Sequence, residues 1–143
     1  MAKPWIRAPP SNKSKNIELL IGSARELREH FPDVHLTLVG SPANAESHEW
    51  SNNLKIENKS QVHEGWLIFK ESIPREMFRD EVSHNGCFFH GYIGSLDKTL
   101  VESTMLRVPV VTINPEYIAI FGSWGNSKEI NLVNEYIAYT HSL

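Results

Sequence analysis

Apolar positions along this chain switch between helical and strand spacing, and the switches predict its elements. From Lys15, the residues Ile17, Leu20, Ile21, Ala24, Leu27 and Phe31 recur at helical spacing with charges between them. Ser14 suits the N-cap of that helix and Pro32 its stop. His35-Leu36-Thr37-Leu38-Val39 then reads as a buried strand, ended by Gly40-Ser41-Pro42. Upstream, Pro4-Trp5-Ile6 reads as a short first strand. Ala43 to Val62 is polar and poorly periodic, with Trp50 and Leu54 to anchor one helix. Trp66-Leu67-Ile68-Phe69 predicts another strand. Ser72-Ile73-Pro74 opens a further helix, with Pro74 in its first turn and Met77, Phe78 and Val82 on its apolar face. After Thr112, Asn114-Pro115-Glu116 turns into a short helix to Ile120. Ser127 caps a last amphipathic helix carrying Ile130, Val133 and Ile137, with Leu132 and Tyr136 as further candidates.

The most informative stretch runs from Phe88 to Thr112. The apolar run Cys87-Phe88-Phe89 ends in small residues, Gly91 to Ser95. A helical segment follows, then Pro109 and the β-branched run Val110-Val111-Thr112. Strand, glycine loop, helix and strand make one βαβ unit of a parallel sheet. With the other elements this predicts a single α/β domain, a Rossmann-like, doubly wound sheet of four or five parallel strands. Such sheets take ligands beyond the carboxyl ends of their strands, where the Gly91–Ser95 loop falls.

The loop suggests an anion site. Gly94 lets a ligand approach the backbone without a Cβ in the way. Ser95 suits the N-cap of the following helix, whose first N–H groups and dipole favour an anion. On that helix Ser95, Lys98, Thr99 and Glu102 share a polar stripe, opposite Leu96, Leu100, Val101 and Thr104. A phosphate followed by a ribose would suit that order. Asp97 sets a negative charge where the phosphate would lie, and Lys98 must offset it. His90 and Tyr92 flank the first glycine and have polar ends suited to a sugar hydroxyl or to a strand mouth. Lys15, a cation near a helix start, opposes the dipole and calls for an anion. A capped helix with an exposed Lys98–Glu102 pair explains the same residues without a ligand.

Composition narrows the partners. The 143 residues carry 14 basic and 17 acidic side chains, a formal net charge of −3, in no basic block, which speaks against nucleic acid. The seven histidines show no metal-ligand spacing. Cys87 is alone, so an internal disulfide is excluded, and its apolar run predicts a buried, inert thiol. No apolar stretch is long enough to span a bilayer, and no signal peptide is expected from the chain's first residues.

Gly94-Ser95-Leu96-Asp97-Lys98-Thr99-Leu100-Val101-Glu102, followed by Val108-Pro109-Val110-Val111, resembles the donor-binding signature of the group 1 retaining glycosyltransferases of GT-B fold. That family carries a Glu, seven residues and a second Glu before a Pro-Val-Val strand. Glu102 matches the second Glu, which in the family binds the ribose of a sugar nucleotide. The first Glu falls on Gly94, so a carboxylate contact to the donor sugar is not implied. Lys15, just before Asn16, matches a family Lys on the donor diphosphate, and Arg7 is a looser match to its Arg. Phe69 to Phe78 is similar to the family segment that meets the base, with Ile73 as the packing residue.

The resemblance covers about Lys15 to Phe121. It implies a nucleotide-sugar donor-binding domain, residues 1–143, as one half of a GT-B enzyme. Gly94, Ser95, Leu96, Lys98, Thr99 and Glu102 would form the donor site with Lys15, and with Arg7, Ile73 and His90 at its margins. It implies transfer to an acceptor such as a glycan or lipid, without a metal or a cofactor beyond the NDP-sugar donor. The acceptor-binding half would be an N-terminal domain or separate subunit preceding Met1. A cytoplasmic location follows, with peripheral membrane attachment an option for the full enzyme. Two other readings stay open: a non-catalytic binding or regulatory module, and a GT-B-like enzyme of another kind, such as a sugar-nucleotide epimerase.

Overall fold

The computed structural model describes residues 4–7, 16–39, 45–71, 74–77, 80, 86–125 and 129–143, with backbone alone for 4–7, 47 and 75. Five strands form one sheet: β1 (Pro4–Arg7), β2 (Leu36–Val39), β3 (Leu67–Lys70), β4 (Cys87–His90) and β5 (Val110–Thr112). Every pairing is parallel, in the order β3-β2-β1-β4-β5. The helices are α1 (Ile17–His30), α2 (Ala45–Glu57), α3 (Lys59–Glu64), α4 (Lys98–Met105), α5 (Pro115–Phe121) and α6 (Leu132–His141), with a 3₁₀ turn at Arg75–Met77.

Three of the strands have no solvent-facing side. All four residues of β2 and of β4 are buried, as are the three of β5. Continuous apolar strands of this kind mark a parallel sheet covered on both sides. β3 is an edge strand and behaves as one: Leu67 is buried, while Ile68 and Lys70 are exposed. α1 buries Ile17, Leu20, Ile21, Ala24 and Leu27, the stripe its sequence spacing predicts. It packs on α6, which also lies against β5. The link is aromatic, since Tyr136 of α6 meets Phe31 and Phe89 edge-on, at centroid separations of 5.8 and 6.3 Å.

Four local expectations are corrected. The polar stretch after Ala43 holds two helices, α2 and α3, because α2 buries little beyond Ser51 and Leu54 and so shows weak periodicity. Met77 is exposed on a 3₁₀ turn rather than buried on a helix face, while Phe78 and Val82 lie outside the described residues. The last helix starts with Asn131, whose side chain accepts from Asn134 N–H, so Ile130 precedes it and is exposed. Ser127 lies outside the described residues. α1 begins after Asn16, with Ser14 outside the described residues.

Cys87 is fully buried, and burial pushes its thiol well above the ordinary range. Burial likewise raises the phenols of Tyr117, Tyr136 and Tyr139. Each group is held neutral, so the folded chain keeps protons that the unfolded chain gives up first. Their contribution to stability is therefore complete below the unfolded values, about 8.5 for Cys and about 10 for Tyr. It declines as pH rises above them. Urea unfolding midpoints should stay level from pH 7 to 8.5 and fall steadily from about pH 9 to 11. A level midpoint through pH 10.5 would contradict this burial.

Candidate functional site

The strand order reverses direction at β1, so the carboxyl ends of β1 and β4 lie beside each other. The register pairs Pro4 with Cys87 and Trp5 with Phe88, and continuing it sets Arg7 level with His90. Arg7 is thus the last residue of β1 rather than a loop residue. The loop after β4 runs from Gly91 to Asp97.

Three side chains from other elements hold this loop. Asn16 donates from Nδ2 to the Gly91 carbonyl at 2.7 Å. Asn114 donates from Nδ2 to the carbonyls of Tyr92 at 2.9 Å and Gly94 at 3.2 Å. Glu116 accepts from the Leu96 N–H at 2.6 Å. In a trans peptide the carbonyl of one residue and the N–H of the next point in opposite directions. With the Tyr92 and Gly94 carbonyls turned to Asn114, which is fully buried, the N–H groups of Ile93 and Ser95 turn away from the interior. Ile93 is 58% exposed and Ser95 is exposed. These two amides, two residues apart, both face the side of the loop away from Asn114.

The start of α4 differs from the expected arrangement. Asp97, not Ser95, is the N-cap, and its Oδ1 accepts from Thr99 N–H at 3.0 Å and Thr99 Oγ1 at 2.9 Å. Ser95 therefore precedes the helix and lies off the Lys98–Thr99–Glu102 stripe. The first-turn amide expected to meet an anion is bound by Asp97 itself. The carboxylate that opposed an anion is also engaged, because its Oδ2 lies 3.3 Å from His90 Nε2. His90 is 2% exposed, and its Nδ1 lies 3.2 Å from Thr112 Oγ1. It links the cap of α4 to the end of β5.

Gly94 is needed for close approach, but by this chain's own Tyr92. A Cβ at position 94 would collide with the Tyr92 phenol. Leu96 is half-buried against the core, and Lys98 is exposed. Thr99 and Glu102 are half-buried, with Glu102 one turn beyond Lys98. Lys15 and Ile73 lie outside the described residues, as does the Arg7 side chain. Among the described residues, no group of three His, Cys, Asp or Glu could hold a metal.

No protein-family model and no curated protein sequence matches the chain. Solved structures do. The pneumococcal O-GlcNAc transferase GtfA, in complex with UDP and GlcNAc, superposes with a TM-score of 0.65 at 17% identity. It is matched over 98% of this chain and 28% of its own length. The GtfA/B complex gives a TM-score of 0.64 at 12% identity, with the same two coverages. The fold is GT-B-like. The chain spans about 28% of the length of these structures, and the likeness is one of fold.

Sequence reasoning missed Asn114 as a site residue and saw it only as a turn. Asn-Pro is a legible helix start, since Asn114 Oδ1 accepts from Tyr117 N–H and Pro115 takes the first position. Its grip on a loop 20 residues earlier left no local signal. Asn16 was seen only as the neighbour of Lys15. It adopts φ 55°, the left-handed region that Asn and Gly tolerate best, which gives a physical reason for Asn or Gly there. Asn16→Gly should lose only the bond to Gly91, about 1 kcal/mol. Asn16→Ala should lose that bond and add roughly 1–2 kcal/mol of backbone strain. Urea unfolding of the two variants should rank glycine above alanine, and equal stability would deny the strained start of α1.

Proposed function

We propose that this chain is the nucleotide-sugar-binding part of a glycosyltransferase: a Rossmann-like, doubly wound donor domain, the C-terminal half of a GT-B enzyme of group 1 type. The observation that carries the reading is the pinned loop. Its carbonyls are held inward by Asn16 and Asn114, and its Ile93 and Ser95 amides turn outward at the carboxyl end of β4. The fold supports it, since a structure sharing that fold was solved with UDP and GlcNAc.

In this reading the diphosphate of an NDP-sugar lies on the two loop amides. Lys15 and Arg7, the latter at the end of β1, add positive charge, as the family resemblance implies. Glu102, two turns into the site and half-buried, accepts from the ribose hydroxyls. Ile73 packs on the base. Amides and cations that meet the charge growing on a leaving diphosphate stabilise the transition state without a metal. The acceptor would bind to a second domain or subunit across the cleft, so this chain alone binds the donor and transfers no sugar.

A non-catalytic binding module is the second reading, and one observation favours it. The position of the family's first Glu is Gly94, and the Tyr92 phenol covers it. A screen of UDP-, GDP- and ADP-sugars by calorimetry tests both: the first reading requires that one class binds, and the failure of all three sinks it.

Glu102→Ala separates ribose from phosphate. Hydrogen bonds to a charged group contribute about 1.5–3 kcal/mol, so nucleotide affinity should fall roughly ten- to a hundred-fold. Binding of inorganic pyrophosphate, which has no ribose, should stay nearly unchanged. Lys15→Ala should weaken both ligands. Parental affinity for nucleotide in Glu102→Ala would remove the ribose role.

A further inference from the structure

A cleft of about 350 Å³ opens at the amino end of the edge strand β5, while the loop after β4 lies at the carboxyl end of the sheet. Arg107, Tyr117, Phe121, Ser123 and Trp124 are among the residues that line it. Two exposed rings are each backed by a tyrosine. Phe121 stacks on Tyr117 at 4.7 Å between centroids, and Trp124 meets Tyr139 edge-on at 5.1 Å. The Trp124 indole is fixed further by donating from Nε1 to the Val110 carbonyl at 2.7 Å. Arg107 stands where glycine is favoured. α4 ends in a Schellman motif, with the Arg107 N–H on the Thr104 carbonyl at 3.0 Å and the Val108 N–H on the Ser103 carbonyl at 2.9 Å. The residue after the helix cap in that motif is left-handed, and Arg107 holds φ 62° there at a steric cost that glycine avoids. Among the described residues Arg107 makes no hydrogen bond or ion pair, and no described residue lining the cleft is acidic. A cation at a helix C-terminus also suits the dipole, a benefit independent of any ligand.

The hydroxyl hydrogens of the described lining residues are already engaged. Thr104 Oγ1 donates to the Leu100 carbonyl at 2.9 Å, so in its 2.6 Å contact with Tyr117 the phenol is the donor. Ser123 Oγ donates to the Gly125 carbonyl at 2.8 Å. A ligand therefore meets the Arg107 guanidinium, which only donates, and the Ser123 and Tyr117 oxygens, which are left to accept. The complement is a molecule with an anionic group, hydroxyl donors and an apolar face. We propose that the cleft binds a hexuronate, the acidic sugar unit of a polysaccharide. Its carboxylate meets Arg107, where a guanidinium can bind both oxygens at once. Its C–H face lies against Phe121 and Trp124, and its hydroxyls donate to Ser123 and Tyr117. A flat aromatic acid would satisfy the arginine and the rings but leave both acceptors without donors. The volume is that of a small-ligand pocket. The cleft and the donor loop lie at opposite ends of the strands, so this site stands apart from the donor-binding reading.

The test is an NMR titration of the ¹⁵N-labelled whole chain with methyl β-D-glucuronide, beside methyl β-D-glucoside and benzoate. The glucuronide should shift the Trp124 indole N–H and the Gly122 and Ser123 amides saturably. It should bind roughly ten-fold more tightly than the glucoside, which lacks the charge. Arg107→Gly should reduce glucuronide affinity to that of the glucoside without lowering the urea unfolding midpoint, since glycine relieves the left-handed backbone. Should that variant fail to fold, Arg107→Asn also tolerates this backbone and should show the same loss of affinity. An arginine that serves only the helix end would leave glucuronide binding unchanged in either variant, which overturns the proposal. So does the absence of a saturable shift at roughly tens of millimolar glucuronide. Equal affinity for glucuronide and glucoside, tighter binding of benzoate, or displacement of the glucuronide by a nucleotide sugar overturns it as well.

Discussion

One buried amide side chain holds the site together. Asn114 uses its carbonyl to cap α5 and both hydrogens of its amide on the loop after β4, while its backbone N–H reaches Thr112. It is fully buried, so none of these bonds competes with water. The orientation of the amide is fixed, because rotating it would set an oxygen against two carbonyls. A residue that is at once a helix cap, a strand-end anchor and a loop clamp makes the loop geometry a consequence of the core. The outward Ile93 and Ser95 amides follow from it through the planarity of the peptide bond.

The electrostatics follow from the same geometry. An aspartate at a helix N-terminus normally favours the helix and repels an anionic ligand. Here both oxygens of Asp97 are engaged, one by Thr99 and one by His90. In the donor-binding reading, the anion therefore meets the loop before α4 rather than the helix's first turn. His90, buried beneath the loop, connects that site to β5 through Thr112.

Much of the architecture was legible in the sequence because its signals are local. The stripe of α1, the apolar runs of β2 and β4 and the Pro109 break before β5 each show within a few residues. The βαβ order after Phe88 placed the loop at the carboxyl edge. What stayed hidden depends on partners distant in sequence or on weak periodicity. α2 and α3 bury too few apolar residues to show a stripe. Ser95 and Asp97 are both good caps, and only the tertiary position of His90 and Thr99 decides between them. Gly94 was legible as a point of close approach, but the approaching group is Tyr92, two residues earlier. The roles of Lys15, Ile73 and the Arg7 side chain lie outside the described residues.

The central claim is that the loop pinned by Asn16 and Asn114 offers its outward amides to a diphosphate. The most direct measurement is a titration of the ¹⁵N-labelled chain with a nucleotide sugar, followed through the assigned backbone amides. The account predicts the largest shifts at Ile93 and Ser95, with smaller ones along Lys98 to Glu102 and little change around Trp124 or β3. Saturating binding that left Ile93 and Ser95 unmoved, with the largest shifts elsewhere on the chain, would contradict it.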